Sequence, residues 1–406
     1  VTTGQTSTTG RPKKAPPKRS AWWTVHHWAG LKLSLLMTFV MATGTLATVA
    51  HELDWLVRPS MRVPVRDQAY ASWGDWVEAA QARLGPGGRL DEFDRPGMRG
   101  FAVDVLAVDG RGEDFRIQVD PWTARVTGTT GYYTIQRALR ETHRHLMLPT
   151  DVGLPFVTVL SLPLLAIFVT SFWVYKKWWR GFRRLPKPMT GRRGDLRRFS
   201  GDLHRLLGLW SLPFLLLMAL TGLWYLIEWG GGEAPEIDEP TLAAAAPPTG
   251  AQVDRIIAET HRAYPALHVT GLRFPEDGGV IVVGQAEALL VRDDANAVWW
   301  DLAAGAPAQV SRAQDMTAHQ RLSEAADPLH FGTWGGLTTK LIWFVFGAAL
   351  SILSATGAMI YATRLKLAGS SHVGLRIWLL GTGYLGLASA ILVAIAIALL
   401  SRRLMT

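Results

Sequence analysis

The sequence predicts a membrane α-helical protein: a four-helix transmembrane core with a pseudo-twofold internal repeat, a fifth helix, and two small external α+β domains. Three observations predict it. Five apolar runs are long enough to cross a bilayer, basic residues gather in the segments on one side of those runs, and one stretch of chain returns at a fixed offset. The 406 residues are 49% apolar, too hydrophobic for a soluble pair of domains, yet two long segments between the runs are charged and polar.

A helix needs roughly 20 apolar residues to cross the hydrocarbon core. Residues 28–50, 152–175, 206–229, 337–362 and 375–400 satisfy this. The first run contains Lys32, near enough to its end for a long side chain to snorkel to the headgroups. Pro155, Pro163 and Pro213 are expected kinks. A cleavable leader is the rival reading of the first run, because Ala47-Thr48-Val49-Ala50 loosely resembles a cleavage site. The run has a partner later in the chain, so it is read as a span.

Charge sets the orientation. Residues 1–25 carry five Lys/Arg and no acid, and residues 176–205 carry eleven against two acids. Arg364, Lys366 and Arg376 flank the last short loop. The positive-inside rule then places the N-terminus in the cytoplasm and the two long segments outside, with Arg402 and Arg403 a mild exception. The net charge of +9 is thus a topology signal and no footprint of nucleic acid. The chain divides into a basic tail (1–25), a first span (26–51), an external domain (52–142) and a second span (143–175). A basic loop (176–203), a third span (204–229) and a second external domain (230–329) follow, then a fourth span (330–362), a short loop (363–374) and a fifth span (375–401).

In the first external segment, residues 73–84 have helical periodicity, and strand-like runs follow at 101–108 and 115–119 before the turn Asp120-Pro121. In the second, 251–263 reads as a helix, with strands near 269–274, 279–284, 288–292 and 297–301 after an Ala/Pro-rich linker at 240–250. The acidic clusters Asp91-Glu92-Asp94 and Glu233, Glu236, Asp238, Glu239 read as solvated surface.

An offset of 178 residues lays HHWAGLKLSLLMTFVMATG (26–44) over HRLLGLWSLPFLLLMALTG (204–222) without a gap. His26 meets His204, Gly30 meets Gly208, and Thr43-Gly44 meets Thr221-Gly222. A weaker echo joins His143 or His145, leading to Thr170-Ser171, with His330, leading to Thr356-Gly357. The unit is helix, external domain, helix, occurring twice, and two such units pack most simply as a pseudo-twofold four-helix core.

The sequence has 11 His and no Cys. Without Cys there are no disulfides, Fe–S clusters, thiolate metal sites or C-x-x-C-H haem attachment. His26, His27 and His204 lie at the cytoplasmic helix ends; His143, His145, His330 and His51 lie at the outer ends. Ionisable groups at membrane depth are functional candidates by default. Two neutral imidazoles on one haem iron make a saturated centre suited to electron transfer. The repeat pairs His26 with His204 inside and His143 or His145 with His330 outside, so two haems would form a wire across the bilayer. Gly30 and Gly208, four residues after their histidines, would let a flat macrocycle approach the backbone. The repeat selects His26 over His27. His143 and His145 point to nearly opposite sides of a helix, and the residues alone leave the choice open. His51 is a candidate for a role at the outer surface. His261, His268, His319 and His372 read as surface, packing or loop residues.

The repeated H-x-x-x-G start with its closing T-G, His143-Arg144-His145-Leu146 before the second helix and LHFGTWGGLTTK (329–340) before the fourth are together similar to the PepSY-associated transmembrane helix family. VDPWTARVTG (119–128) resembles the closing strand-turn-strand of a PepSY domain, with Ala124 in place of the usual Gly, and VWWDLAAG (298–305) resembles a more degraded copy. The resemblance spans about 25–365, and the fifth helix is a common addition. It implies two external PepSY-like domains and a bacterial inner-membrane protein of iron uptake: a ferric-siderophore reductase with two b-type haems. It implies His26 and His204 as ligands of an inner haem, and His143 and His330 as ligands of an outer one. It thereby favours His143 over the alternate His145. No G-x-G-x-x-G opens a helix after a strand, so electrons are expected from membrane quinol or a separate reductase. A membrane-anchored PepSY protein that binds peptides or regulates peptidases is the alternative. An iron or siderophore transporter is a second alternative, disfavoured because the ionisable groups sit at helix ends and not at the midplane.

Overall fold

The computed structural model describes residues 20–192, 194–276, 278–367 and 375–405; the start of the basic tail and His372 lie outside them. Helix α1 (Ala21–Lys32) opens on Ser20, whose hydroxyl accepts the Trp23 N–H. It meets α2 (Ser34–Ala47) at Leu33, and the two are bent by 65°. The first apolar run is therefore two helices with a sharp break between them, which a hydropathy window cannot distinguish from one straight helix. A third short helix, α3 (Ala50–Val57), carries the chain out toward the sheet.

The first external segment begins with α4 (Trp73–Gln81), fixed by a capping box between Ser72 and Asp75. Strands β1 (Arg89–Asp94), β2 (Val103–Val108), β3 (Asp114–Val119) and β4 (Val126–Gly131) follow as an antiparallel meander. The chain then forms a strongly amphipathic helix, α5 (Ile135–His145). It reverses through Leu146 and Met147, both at positive φ, and enters α6 (Thr150–Thr158) and α7 (Ser161–Val174). The membrane-crossing stretch is Thr150–Val174, so His143 lies on the helix before the span and not in the span itself.

After the basic loop, α8 (Asp195–Trp210) and α9 (Leu212–Ile227) meet at Ser211. Ser211 and Leu33 have nearly the same backbone conformation (φ −91°, ψ 0° and φ −107°, ψ 11°). Pro213, in the first turn of α9, contributes the missing N–H at the break. Pro163 does the same near the start of α7, while Pro155 lies within α6.

In the second external segment, α10 (Gly250–Ala263) has a Thr249–Gln252 capping box and precedes β5 (His268–Arg273), β6 (Val280–Gln285), β7 (Asn296–Asp301) and β8 (Ala306–Ser311). Then come α11 (Ala318–Phe331), which bears His330, the long α12 (Gly336–Leu367) and α13 (Leu375–Met405). The strand expected at 288–292 does not form. Leu290 adopts positive φ, and Val291 turns into a small cluster with Ala295 and Ala313. Strands β1, β4 and β8 had too little hydrophobic alternation to be seen; β8 buries only its last residue.

Among the described residues four helices are long and apolar enough to cross a membrane, or five when the bent α1–α2 pair is one span. Their shared core includes Leu36, Val40, Leu164, Phe214, Ala219 and Leu350, with Val393 and Ala396 of α13 against it. Lys32 does not reach outward. Its ammonium donates to the Gly381 carbonyl at 2.8 Å, beside the break in α13 where Gly383 takes positive φ. A carbonyl in a broken helix supplies the polar partner that the apolar bundle lacks.

The two external segments were read as two units, and the structure joins them into one eight-stranded antiparallel sheet of order β4-β3-β2-β1-β5-β6-β7-β8. Pairing β1 with β5 (Phe93 opposite Leu272) removes an open edge from each meander. Helices α4 and α10 share one face of this sheet, and Trp76, Val77, Val253 and Ile256 pack with Phe93, Val105, Ile117, Leu272 and Val282 in a continuous core. The helices touch at glycines: a Cβ on Gly74 would stand 2.3 Å from the Gly250 carbonyl oxygen. Their caps are reciprocal. Gly74 N–H donates to Asp254 and Gly250 N–H donates to Glu78, each acid four residues beyond the opposite glycine.

Candidate cofactor-binding site

The four histidines paired by the repeat sit at the two ends of the bundle. His26, near the start of α1, donates from Nδ1 to the Thr170 hydroxyl of α7 at 3.0 Å. The direction is fixed because Thr170 already donates to the Ala166 carbonyl at 2.6 Å. His204 of α8 donates from Nδ1 to the Leu353 carbonyl of α12 at 3.0 Å, with Thr356 Oγ1 at 3.2 Å. At the sheet-side end, His143 donates from Nδ1 to the Val40 carbonyl at 2.8 Å. His330 donates to the Thr221 hydroxyl at 2.8 Å, and that hydroxyl in turn donates to the Leu217 carbonyl. The same logic thus acts four times. A helix carbonyl, directly or through a threonine, takes the Nδ1 proton and leaves the Nε2 lone pair free. None of the four Nε2 atoms is used by a hydrogen bond among the described residues. This is the arrangement that orients an imidazole for iron and raises its basicity.

The sheet-side pair comes together. The rings of His143 and His330 are 6.0 Å apart, centroid to centroid, and inclined by 34°. Two imidazoles on opposite sides of one metal, bound at about 2 Å each, would place their ring centres roughly 6 Å apart. The two rings also line a cavity of about 470 Å³ together with Gly44, Leu160, Phe214 and Trp343, within the range of small-cofactor sites. Gly44 is needed where it is: a Cβ there would lie 2.5 Å from His143 Cε1. At the other end, Gly357 grants His204 similar room, its Cβ position lying 3.3 Å from His204 Cε1.

The remaining candidates lie elsewhere. His145 bonds from Nδ1 to Leu148 O in the reversal that follows α5, so it shapes its own turn. His27 stacks on Trp23 at 4.8 Å and meets Tyr361 of α12 at 5.4 Å. His51 is exposed on α3, next to the Glu52–Lys340 ion pair. Gly30 faces Ile167 and Gly208 faces Leu353, with Cβ positions 3.9 and 3.4 Å from those side chains. In this packing they give neighbouring helices room and do not border the cavity. His319 bonds to the Gly232 carbonyl, and His261 and His268 are exposed. Among the described residues no three His, Asp or Glu side chains are placed to hold a metal ion together, so what the bundle offers is pairs of imidazoles.

The acceptors are what sequence reasoning missed. Thr170, Thr221 and Thr356 stood in the alignment as punctuation of the repeat, and that was the available signal. The Val40 and Leu353 carbonyls carry no sequence signal at all, because every residue has one.

The family profile described as the PepSY-associated TM region matches residues 23–364. No curated protein matches the sequence.

Proposed function

The chain belongs to the PepSY-associated transmembrane family and is a multi-pass membrane protein, and from that premise we propose that it is a di-haem b electron-transfer protein reducing ferric siderophore iron on the sheet side of a bacterial inner membrane. The observation that carries the reading is the pair His143 and His330, 6.0 Å apart across a cavity, each with its Nδ1 proton committed and its Nε2 free. The residues fit the group. His143 and His330 would hold one haem, His26 and His204 the other, and a haem between two imidazoles supplies one-electron chemistry with no open coordination position.

The protein's own contribution is placement and an apolar setting. Carbonyls and threonine hydroxyls fix each ring's tautomer, so no ring has to turn or exchange a proton when charge moves. The apolar residues around His143 and His330, Leu160, Phe214 and Trp343 among them, lower the local dielectric, which would tune a bound centre's potential. Ligand pairs at opposite ends of the bundle suit electrons entering from quinol or a separate reductase at the basic side and leaving toward the sheet. Ferric iron released there as the weakly held ferrous ion would complete iron recovery. The shared break at Leu33 and Ser211 and the reciprocal α4–α10 caps support reading the chain as two copies of one unit about a pseudo-twofold axis. A purely peptide-binding role for the sheet leaves the four oriented imidazoles without a use.

The test is an optical spectrum of the full chain, purified after haem-replete expression and reduced with dithionite, with haem counted per chain. Two b-type haems per chain are expected, falling to one in His330→Ala. A protein with no Soret band overturns the reading.

A further inference from the structure

The cavity that the two histidines line also has charged groups in its wall. Arg140, Arg144 and Arg292 line it, with Glu228, Glu233, Asp327 and the Tyr225 hydroxyl. Most of these groups are already committed. Arg292 pairs with Glu324 and lies 3.8 Å from Asp327. Asp327 accepts from the Tyr225 hydroxyl at 2.7 Å. Glu228 accepts from Trp224 and Ser323. Glu233 is exposed at the outer edge.

Arg140 and Arg144 stand apart. They are one helical turn apart on α5, on the same face, and Arg144 directly follows His143. Neither makes a hydrogen bond or ion pair among the described residues, although both line a cavity whose other arginine is fully paired. Both guanidiniums are at the exposed edge of that cavity. Two like charges one turn apart, neither closed into an ion pair, give this edge of the cavity two donors for an anionic group.

An anion of the right shape is available in the group the cavity is read to hold. A b-type haem has an apolar macrocycle with two carboxylates on one edge, and a guanidinium fork is the side chain best matched to a carboxylate. We propose that Arg140 and Arg144 receive the two propionate carboxylates of the haem held by His143 and His330. The inference rests on the di-haem reading and deepens it: α5 supplies an axial ligand and both carboxylate anchors of one cofactor from three positions within five residues.

The experiment compares the full-length wild type with Arg140→Gln/Arg144→Gln and Arg140→Lys/Arg144→Lys, measuring haem per chain and the midpoint potentials of both haems. The double Gln variant should lose most of one haem, moving from two per chain toward one. In whatever fraction retains it, that haem's potential should fall, because two cations that favour the reduced form have gone. The haem assigned to His26 and His204 should keep its potential, and the Lys variant should recover part of the occupancy. Two haems with unchanged potentials in the Gln variant overturn the inference alone, including the case where only reduction of an added anionic ferric chelate slows. Loss of both haems together also overturns it, since the arginines would then act on the fold. A wild type without haem overturns the underlying reading and the inference with it.

Discussion

Each ligand candidate in this bundle is defined by the group behind it. His330 depends on one hydroxyl, Thr221 Oγ1, which is held as an acceptor by its own bond to Leu217. Thr221→Val keeps the shape and removes the acceptor. Supporting partners of metal-bound histidines are worth about 10–100-fold in affinity, so the sheet-side haem should bind more weakly by that order. Its potential should rise, because a less basic imidazole stabilises the oxidised iron less. Thr221→Ser should behave as wild type. Redox titration of the three proteins decides it, and identical potentials and haem retention in Thr221→Val would show that the hydroxyl has no such role.

At the scale of elements, the junction between β1 and β5 holds the two external segments together. Its ion pairs centre on Arg273, which reaches Asp94 at 3.0 Å, Asp294 at 3.3 Å and Glu92 at 4.0 Å. Arg273→Ala leaves three carboxylates gathered without their cation. A half-buried cation of this kind is worth about 1–2 kcal/mol, between exposed and buried pairs. Faster hydrogen exchange of the β1 and β5 amides, with α9 and α12 unchanged, is the expected readout; no change would mean that the strand ladder alone carries the joint. The same site has a pH dependence. Burial holds the Glu92 carboxyl above the usual range, against the opposing pull of Arg273. A carboxyl raised in the folded state stabilises that state below its unfolded pKa, and the gain is lost as pH rises through the folded value. Exchange at the joint should therefore slow as pH falls from neutral into the upper carboxylate range, once intrinsic exchange rates are corrected. Glu92→Gln should flatten that dependence; a dependence unaltered by Glu92→Gln assigns it to another group.

For the whole molecule, the decisive arrangement is that four spans enclose one cavity while both external segments merge above it. The absence of Cys makes the orientation easy to test with single introduced cysteines. Ala303 is exposed beyond β7, and Met189 is exposed in the basic loop. In intact spheroplasts a membrane-impermeant maleimide should label Ala303→Cys and leave Met189→Cys unlabelled until the membrane is opened. The reverse pattern would invert the orientation and place the sheet, and the site of iron reduction proposed here, in the cytoplasm.

Much of this was legible along the chain. Run length and charge gave the spans, and the 178-residue offset singled out His26, His204 and the T-G pairs, because a repeated chemical need leaves the same residue types at the same spacing. Hydropathy windows average over turns, so they could not show the breaks at Leu33 and Ser211 or the reversal that puts His143 and His330 on separate helices ahead of their spans. The edge strand β8 had no signal of its own, because it buries only its last residue and is held by its ladder to β7. The sequence by itself determined the membrane class, the apolar runs and the short list of histidines, since these follow from composition and local spacing. Only the tertiary structure decided which imidazoles come together, which carbonyl or hydroxyl takes each Nδ1 proton, and that two external segments make a single sheet. Those facts are contacts between residues a hundred or more positions apart, and the distance between two side chains is set by packing that no local pattern encodes.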